Sequence, residues 1–165
     1  MKNLAITLLI IIAFTALNTK GQELPNLKDV KLSKRIDFKN AEIVAKVVEY
    51  LFHTPIDSKN KARNEAGKFL VDWMNGTPDH VFYLEEKETS YFNTNSDLLL
   101  MYMAALTKFS LMQPTEKGKR QQALGAMNLV LPYLYQHSDK KSWNKELWQL
   151  YDASINGKLN ELLYQ

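Results

Sequence analysis

The segment Asp97-Leu98-Leu99-Leu100-Met101-Tyr102-Met103-Ala104-Ala105-Leu106-Thr107-Lys108-Phe109-Ser110-Leu111-Met112 decides the fold, because it is apolar around most of a helical circumference and carries only two charges. Asp97 at its start and Lys108 in its later turns suit the helix dipole, and Pro114 stops the run. A helix that is apolar on nearly all sides must be covered on nearly all sides. It is shorter than the roughly 20 residues of a bilayer crossing and sits in an otherwise polar chain, so it predicts the central core helix of a bundle.

Working outward, the neighbouring segments supply the covering helices. Ala41, Val44, Ala45, Val48, Leu51 and Phe52 fall on one helical stripe, with Asp37 placed to cap it and Pro55 beyond its end. A second stripe of Ala62, Ala66, Phe69, Leu70 and Trp73 follows a start near Asp57-Ser58, and Gly67 within it either weakens the helix or admits a close neighbour. The short link from His53 to Ile56 makes these two helices antiparallel partners. Beyond the central segment, Glu116 to Tyr135 carries Ala123, Ala126, Met127, Val130 and Leu134 on one face, while Pro132 predicts a kink or an early end. Ser142 is the expected cap of a fifth helix with Trp143, Leu147, Leu150, Tyr151 and Ser154 as its stripe. Asn156-Gly157 punctuates it, and Lys158 to Tyr164 adds a last amphipathic turn or two.

Only Val81-Phe82-Tyr83-Leu84 suggests a strand, and it is too short to carry a sheet. Helix starts near 40, 58, 97, 117 and 143 place alternate helices 57 and 46 residues apart, not at a constant repeat. The expected architecture is an all-α, irregular bundle of about five helices, with short links that also suit stacked helical hairpins.

The N-terminus reads differently. After Met1-Lys2-Asn3, the run Leu4 to Leu17 contains nothing more polar than Thr7 and Thr15, and Thr19-Lys20-Gly21 follows with small residues at the two positions a signal peptidase reads. That run would rise about 21 Å as a helix, short of a hydrocarbon core of roughly 30 Å, so a cleaved signal peptide over residues 1–21 is expected, with no stable membrane span afterwards. Residues 22–36 mix charges with Pro25 and read as an exposed arm, leaving residues 37–165 as a single all-α domain. Processing removes Lys2 and Lys20, so the formal charge of +3 falls to about +1, and an electrostatic case for nucleic acid falls with it. The chain has no Cys. Disulfide staples, thiolate metal sites and lipidated cysteines are thereby excluded, and helix packing alone must supply stability.

Function is sought first in the 22-residue connection from Asn75 to Ser96, which is longer than most links in a bundle and reads either as an ordered crossover covering the core or as a binding loop. It holds Asp79, His80, Phe82 and Tyr83, close in sequence to Trp73. The acids Glu85, Glu86 and Glu88 could in principle serve His80, but no two histidines share a metal-ligand spacing, and neither a glycine-rich phosphate loop nor a nucleophile elbow occurs, so no cofactor is expected. Trp148 is the second candidate contact. It lies about 140° around the fifth helix from Trp143, so one ring joins the core while the other faces the rim, with Tyr133, Tyr135 and Tyr151 nearby.

The run Phe69-Leu70-Val71-Asp72-Trp73-Met74-Asn75-Gly76-Thr77-Pro78-Asp79, followed by Leu98 to Leu106, resembles small exported helical proteins of Bacteroidota type. The resemblance implies export and an α fold and carries no catalytic residue with it. The expectation is therefore a periplasmic or secreted binding module whose partner is an envelope protein or a glycan, with a surface drawn from Trp73, Asp79, His80, Phe82, Tyr83 and Trp148. The competing expectation is a small hydrolase or metal-dependent enzyme using His80 with Asp79 or a nearby Glu.

Overall fold

The structure, a computed structural model, describes residues 23–35 and 37–165. The export segment expected at 1–21 lies outside the described residues. Among those described there are seven α-helices and no strand: α1 (Ala41–His53), α2 (Lys61–Gly76), α3 (Glu86–Thr89), α4 (Ser96–Met112), α5 (Lys119–His137), α6 (Lys145–Ile155) and α7 (Leu159–Tyr164). The bundle is all-α and irregular, as the apolar stripes require. No helix among the described residues is long and apolar enough to cross a membrane.

α4 is the central helix, packed along α5 and α1 and against α2, while α6 leans on α5 and α7 on α6. Its Leu98, Met101, Tyr102, Ala104, Ala105 and Leu106 are all buried, which is why its sequence tolerates so few polar residues. Gly67 admits the close neighbour: a Cβ there would lie 2.8 Å from Leu100 Cδ2, so the missing side chain lets α2 approach α4.

Several helix ends differ from the sequence reading. Asp37 does not cap α1; its Oδ2 accepts from the Ser33 and Lys34 amides at 3.0 and 2.8 Å and closes the turn before the helix. α2 is capped by Asn60, whose Oδ1 accepts from the Arg63 amide at 3.1 Å, while Asp57 closes the turn ahead of it. α5 continues through Pro132 to His137, since both Pro132 and Asn128 are exposed and the carbonyl deprived of its donor meets water. Asn144, not Ser142, caps α6 through the Leu147 amide at 2.8 Å, so Trp143 precedes the helix, in the corner between it and a 3-10 turn at Lys140–Ser142. The arm expected to be exposed is seated on the bundle, because Leu27 is buried in the core cluster and Leu24, Val30 and Leu32 pack against it.

One core residue has no counterpart in the sequence reading. Arg63 is fully buried, on the same stripe of α2 as Ala66, Leu70 and Trp73. Its Nη1 donates to the Leu51 and Thr54 carbonyls at 2.9 and 3.2 Å and to Thr54 Oγ1 at 3.1 Å; Nη2 meets Met101 Sδ at 2.9 Å. The Tyr133 hydroxyl of α5 donates to the same two carbonyls, at 3.2 and 2.9 Å. Among the described residues no carboxylate pairs with Arg63; the negative end of the α1 dipole takes that place. Arg63→Ala is expected to lower the unfolding free energy by about 3 kcal/mol, through lost packing and unpaired carbonyls, and Tyr133→Phe by about 1 kcal/mol. Urea titration measures both, and an Arg63→Ala chain as stable as the parent would show that the guanidinium does not brace the bundle.

Candidate functional site

The long connection after α2 is an ordered strap, held at several points. At its start His80 turns inward, and its Nδ1 lies 2.7 Å from Ser110 Oγ near the end of α4. Trp73, His80 and Phe82 form a three-ring cluster, with the Trp73 and Phe82 centroids 5.4 and 6.2 Å from His80 and 6.0 Å from each other. The Trp73 ring is buried, and its Nε1 donates to the Phe38 carbonyl at 2.7 Å. Val81 and Leu84, on either side of the partly buried Phe82 and Tyr83, are exposed. Tyr83 is half-buried beneath Lys119, whose Nζ stands 5.1 Å from the ring centroid and pairs with Glu85 at 2.6 Å.

Farther along, the short α3 turns Glu88 into the protein. Its Oε1 accepts from the Tyr164 hydroxyl of α7 at 2.6 Å. Phe92 is fully buried and stacks on Tyr102 of α4 at 4.7 Å. Burial, and then the Glu88 hydrogen bond and charge, push the Tyr164 hydroxyl well above its usual range; burial and the same carboxylate do so for Tyr102.

The His80–Ser110 contact resembles the first pair of a hydrolytic triad, but Ser110 is only 1% exposed and cannot meet a substrate. Asp79 is exposed and presents its backbone carbonyl to Lys117 Nζ at 3.2 Å. Among the described residues, no three His, Asp or Glu side chains gather as a metal-holding group. The geometry makes His80 a packing and hydrogen-bonding residue. Burial lowers its pKa, with the Lys117 charge acting in the same direction and Asp79 partly opposing it.

A second aromatic group forms where α5, α6 and the turn between them meet. Tyr135 and Tyr151 stack at 4.5 Å and 5°; Trp143 and Trp148 lie 4.8 Å apart; and Trp148 stands edge-on to both tyrosines at 6.3 and 6.4 Å. Lys140 Nζ covers Tyr135 at 5.0 Å. Trp143 is buried and its Nε1 donates to Ser138 Oγ at 2.7 Å, whereas Tyr135 and Trp148 remain 39% and 36% exposed. Tyr133 belongs elsewhere, edge-on to Phe52 at 5.0 Å beneath the Arg63 network.

The six residues singled out in the sequence therefore divide. Trp73, His80 and Phe82 come together as a half-buried cluster, Asp79 and Tyr83 lie on the outward side of the same strap, and Trp148 is remote. Lys119, which covers Tyr83, and Tyr135, which touches Trp148, are 16 residues apart on α5, about 24 Å along its axis. Ile155, 62% exposed beside the second group, was missed because only the inner stripe of that helix was followed.

Compared with known proteins, the chain matches no family model, no curated protein and no solved structure.

A pKa held down by burial gives His80 a defined pH signature. The neutral imidazole stabilises the fold fully above its ordinary value of 6.5, and that contribution is lost as pH falls through the lowered folded-state value. The stability advantage of the parent chain over His80→Asn should therefore shrink between about pH 7.5 and about pH 5. Denaturant titrations of both chains across that range check it; a constant difference would mean that folding leaves the imidazole's pKa where it stands in the unfolded chain.

Proposed function

We propose that the protein is an exported helical interaction module of the cell envelope, periplasmic or secreted, that works by docking through the aromatic face of α5 and α6. The observation that carries this reading is the exposure of Tyr135 and Trp148 within a packed group of four rings. Large aromatics left partly in water while their neighbours brace them offer contact area at little cost in side-chain entropy. The signal-peptide pattern of residues 1–21 supports export, and the resemblance to small exported helical proteins agrees with it. A partner's apolar anchor and the flat face of a sugar ring both suit such a surface.

The same structure gives less support to chemistry at His80, whose hydroxyl neighbour is buried and whose half-buried ring packs with Trp73 and Phe82. A photocrosslinker placed at Gln149 in cells tests the docking face, with the Tyr135→Ala/Trp148→Ala double variant as comparison. The expected result is an adduct in the envelope fraction that disappears in the variant while the variant stays folded by circular dichroism. Adducts indifferent to the two rings, or recovery of the protein from the cytoplasm with residues 1–21 attached, would overturn the proposal.

A further inference from the structure

α6 buries Leu147 and Leu150 against the bundle, yet the flank beside this inner face is apolar as well, with Trp148 and Ile155 exposed and Tyr151 half-buried. The same flank carries Lys145 and Asp152, which are both exposed and lie seven residues apart, two turns along one side of the helix. Five ion pairs occur among the described residues, and neither side chain takes part in any of them. An apolar stripe bordered by one positive and one negative group at equal distances from Trp148-Gln149 is its own electrostatic complement.

We propose that this flank is a self-association surface on which two copies of the chain pair through antiparallel α6 helices, about a two-fold axis beside Trp148. The proposal rests on the docking reading of the same aromatic face and names its occupant. In an antiparallel pair, residues equally far before and after the axis meet, so Lys145 of each copy faces Asp152 of the other, and two ion pairs border the Trp148 rings. A parallel pair would instead set Lys145 level with Lys145 and Asp152 level with Asp152, so the charges select the antiparallel register. Ile155 then lies over the turn that precedes α6 in the second copy, a site able to cover its exposed side chain. α6 has 11 residues and is about 16 Å long, so the contact is smaller than a standard interface and the association depends on concentration.

Sedimentation velocity of the purified protein between about 5 and about 500 µM tests the pairing, and a shift from monomer to dimer across that range is expected. Lys145→Asp and Asp152→Lys each place like charges across the axis and should weaken association at least about tenfold, whereas the double swap restores opposite charges and should return it to within about threefold. Both swaps put a favourable charge at their end of α6, so loss of the helix does not mimic the result. A monomer throughout the range, or a double swap as weak as the singles, would overturn the pairing. If the chain stays monomeric while Gln149 adducts still need Tyr135 and Trp148, the pairing fails and the docking reading stands; if those adducts are absent too, both fail.

Discussion

The bundle is organised around a positive charge that pairs with no carboxylate among the described residues. Arg63 lies at the bottom of α2, fully out of water, and its guanidinium is held by the carbonyls at the end of α1 and by a methionine sulfur of α4. Tyr133 of α5 reaches the same carbonyls, so α2 and α5 both bond to the end of α1, and α4 joins them through Arg63. Those carbonyls are the unpaired acceptors that every helix leaves at its C-terminus. Using them as the counter-charge avoids burying a second ion, and it fixes the position of α1 relative to α2, α4 and α5 together. Contacts among the core leucines and valines are non-directional, whereas a planar cation donating to named carbonyls sets a direction.

How much of this was legible in the sequence depended on the kind of signal each residue carried. The stripes of Val44, Val48 and Leu51, of Ala66, Leu70 and Trp73, and the near-continuous apolar run of Leu98 to Leu106 led to the correct class of fold, because apolar periodicity reports burial directly. Helix ends were read less well, since Asp37, Asp57 and Ser142 are all competent caps and only the tertiary path assigns that work to Asn60 and Asn144. Arg63 sat in plain view on an apolar stripe and was passed over, because a lone arginine is ordinarily solvated and its acceptors lie in another helix. At the candidate site, nearness in sequence joined Trp73 to His80 and Phe82, whereas Trp148 was grouped with them only by residue type. The separation along α5 is a property of the packed bundle that no local pattern encodes.

The long strap illustrates how a connection can have a core of its own. His80 and Phe82 pack on Trp73, Phe92 stacks on Tyr102, and Glu88 turns inward, so the segment between α2 and α4 runs back along the central helix from Ser110 to Tyr102. Val81 and Leu84 stay in water on either side of Phe82 and Tyr83, so only part of the strap's apolar surface is used to cover the bundle. The aromatic face on α5 and α6 has the opposite character. Its rings brace one another, yet two of them stay partly in solvent without closing any gap in the bundle.

The bond between Tyr164 and Glu88 joins residues 76 positions apart, and Lys87 and Arg120 stand over the same phenol ring at 4.7 and 4.9 Å. Within the described residues, Glu88 Oε1 has Tyr164 as its hydrogen-bonding partner, while Oε2 and the nearby Tyr102 hydroxyl have none. His80, Phe82, Glu85 and Phe92 find their partners on α2, α4 and α5, whereas Glu88 finds its own on α7, so the α3 turn is the part of the strap whose closure waits for the C-terminal helix to dock.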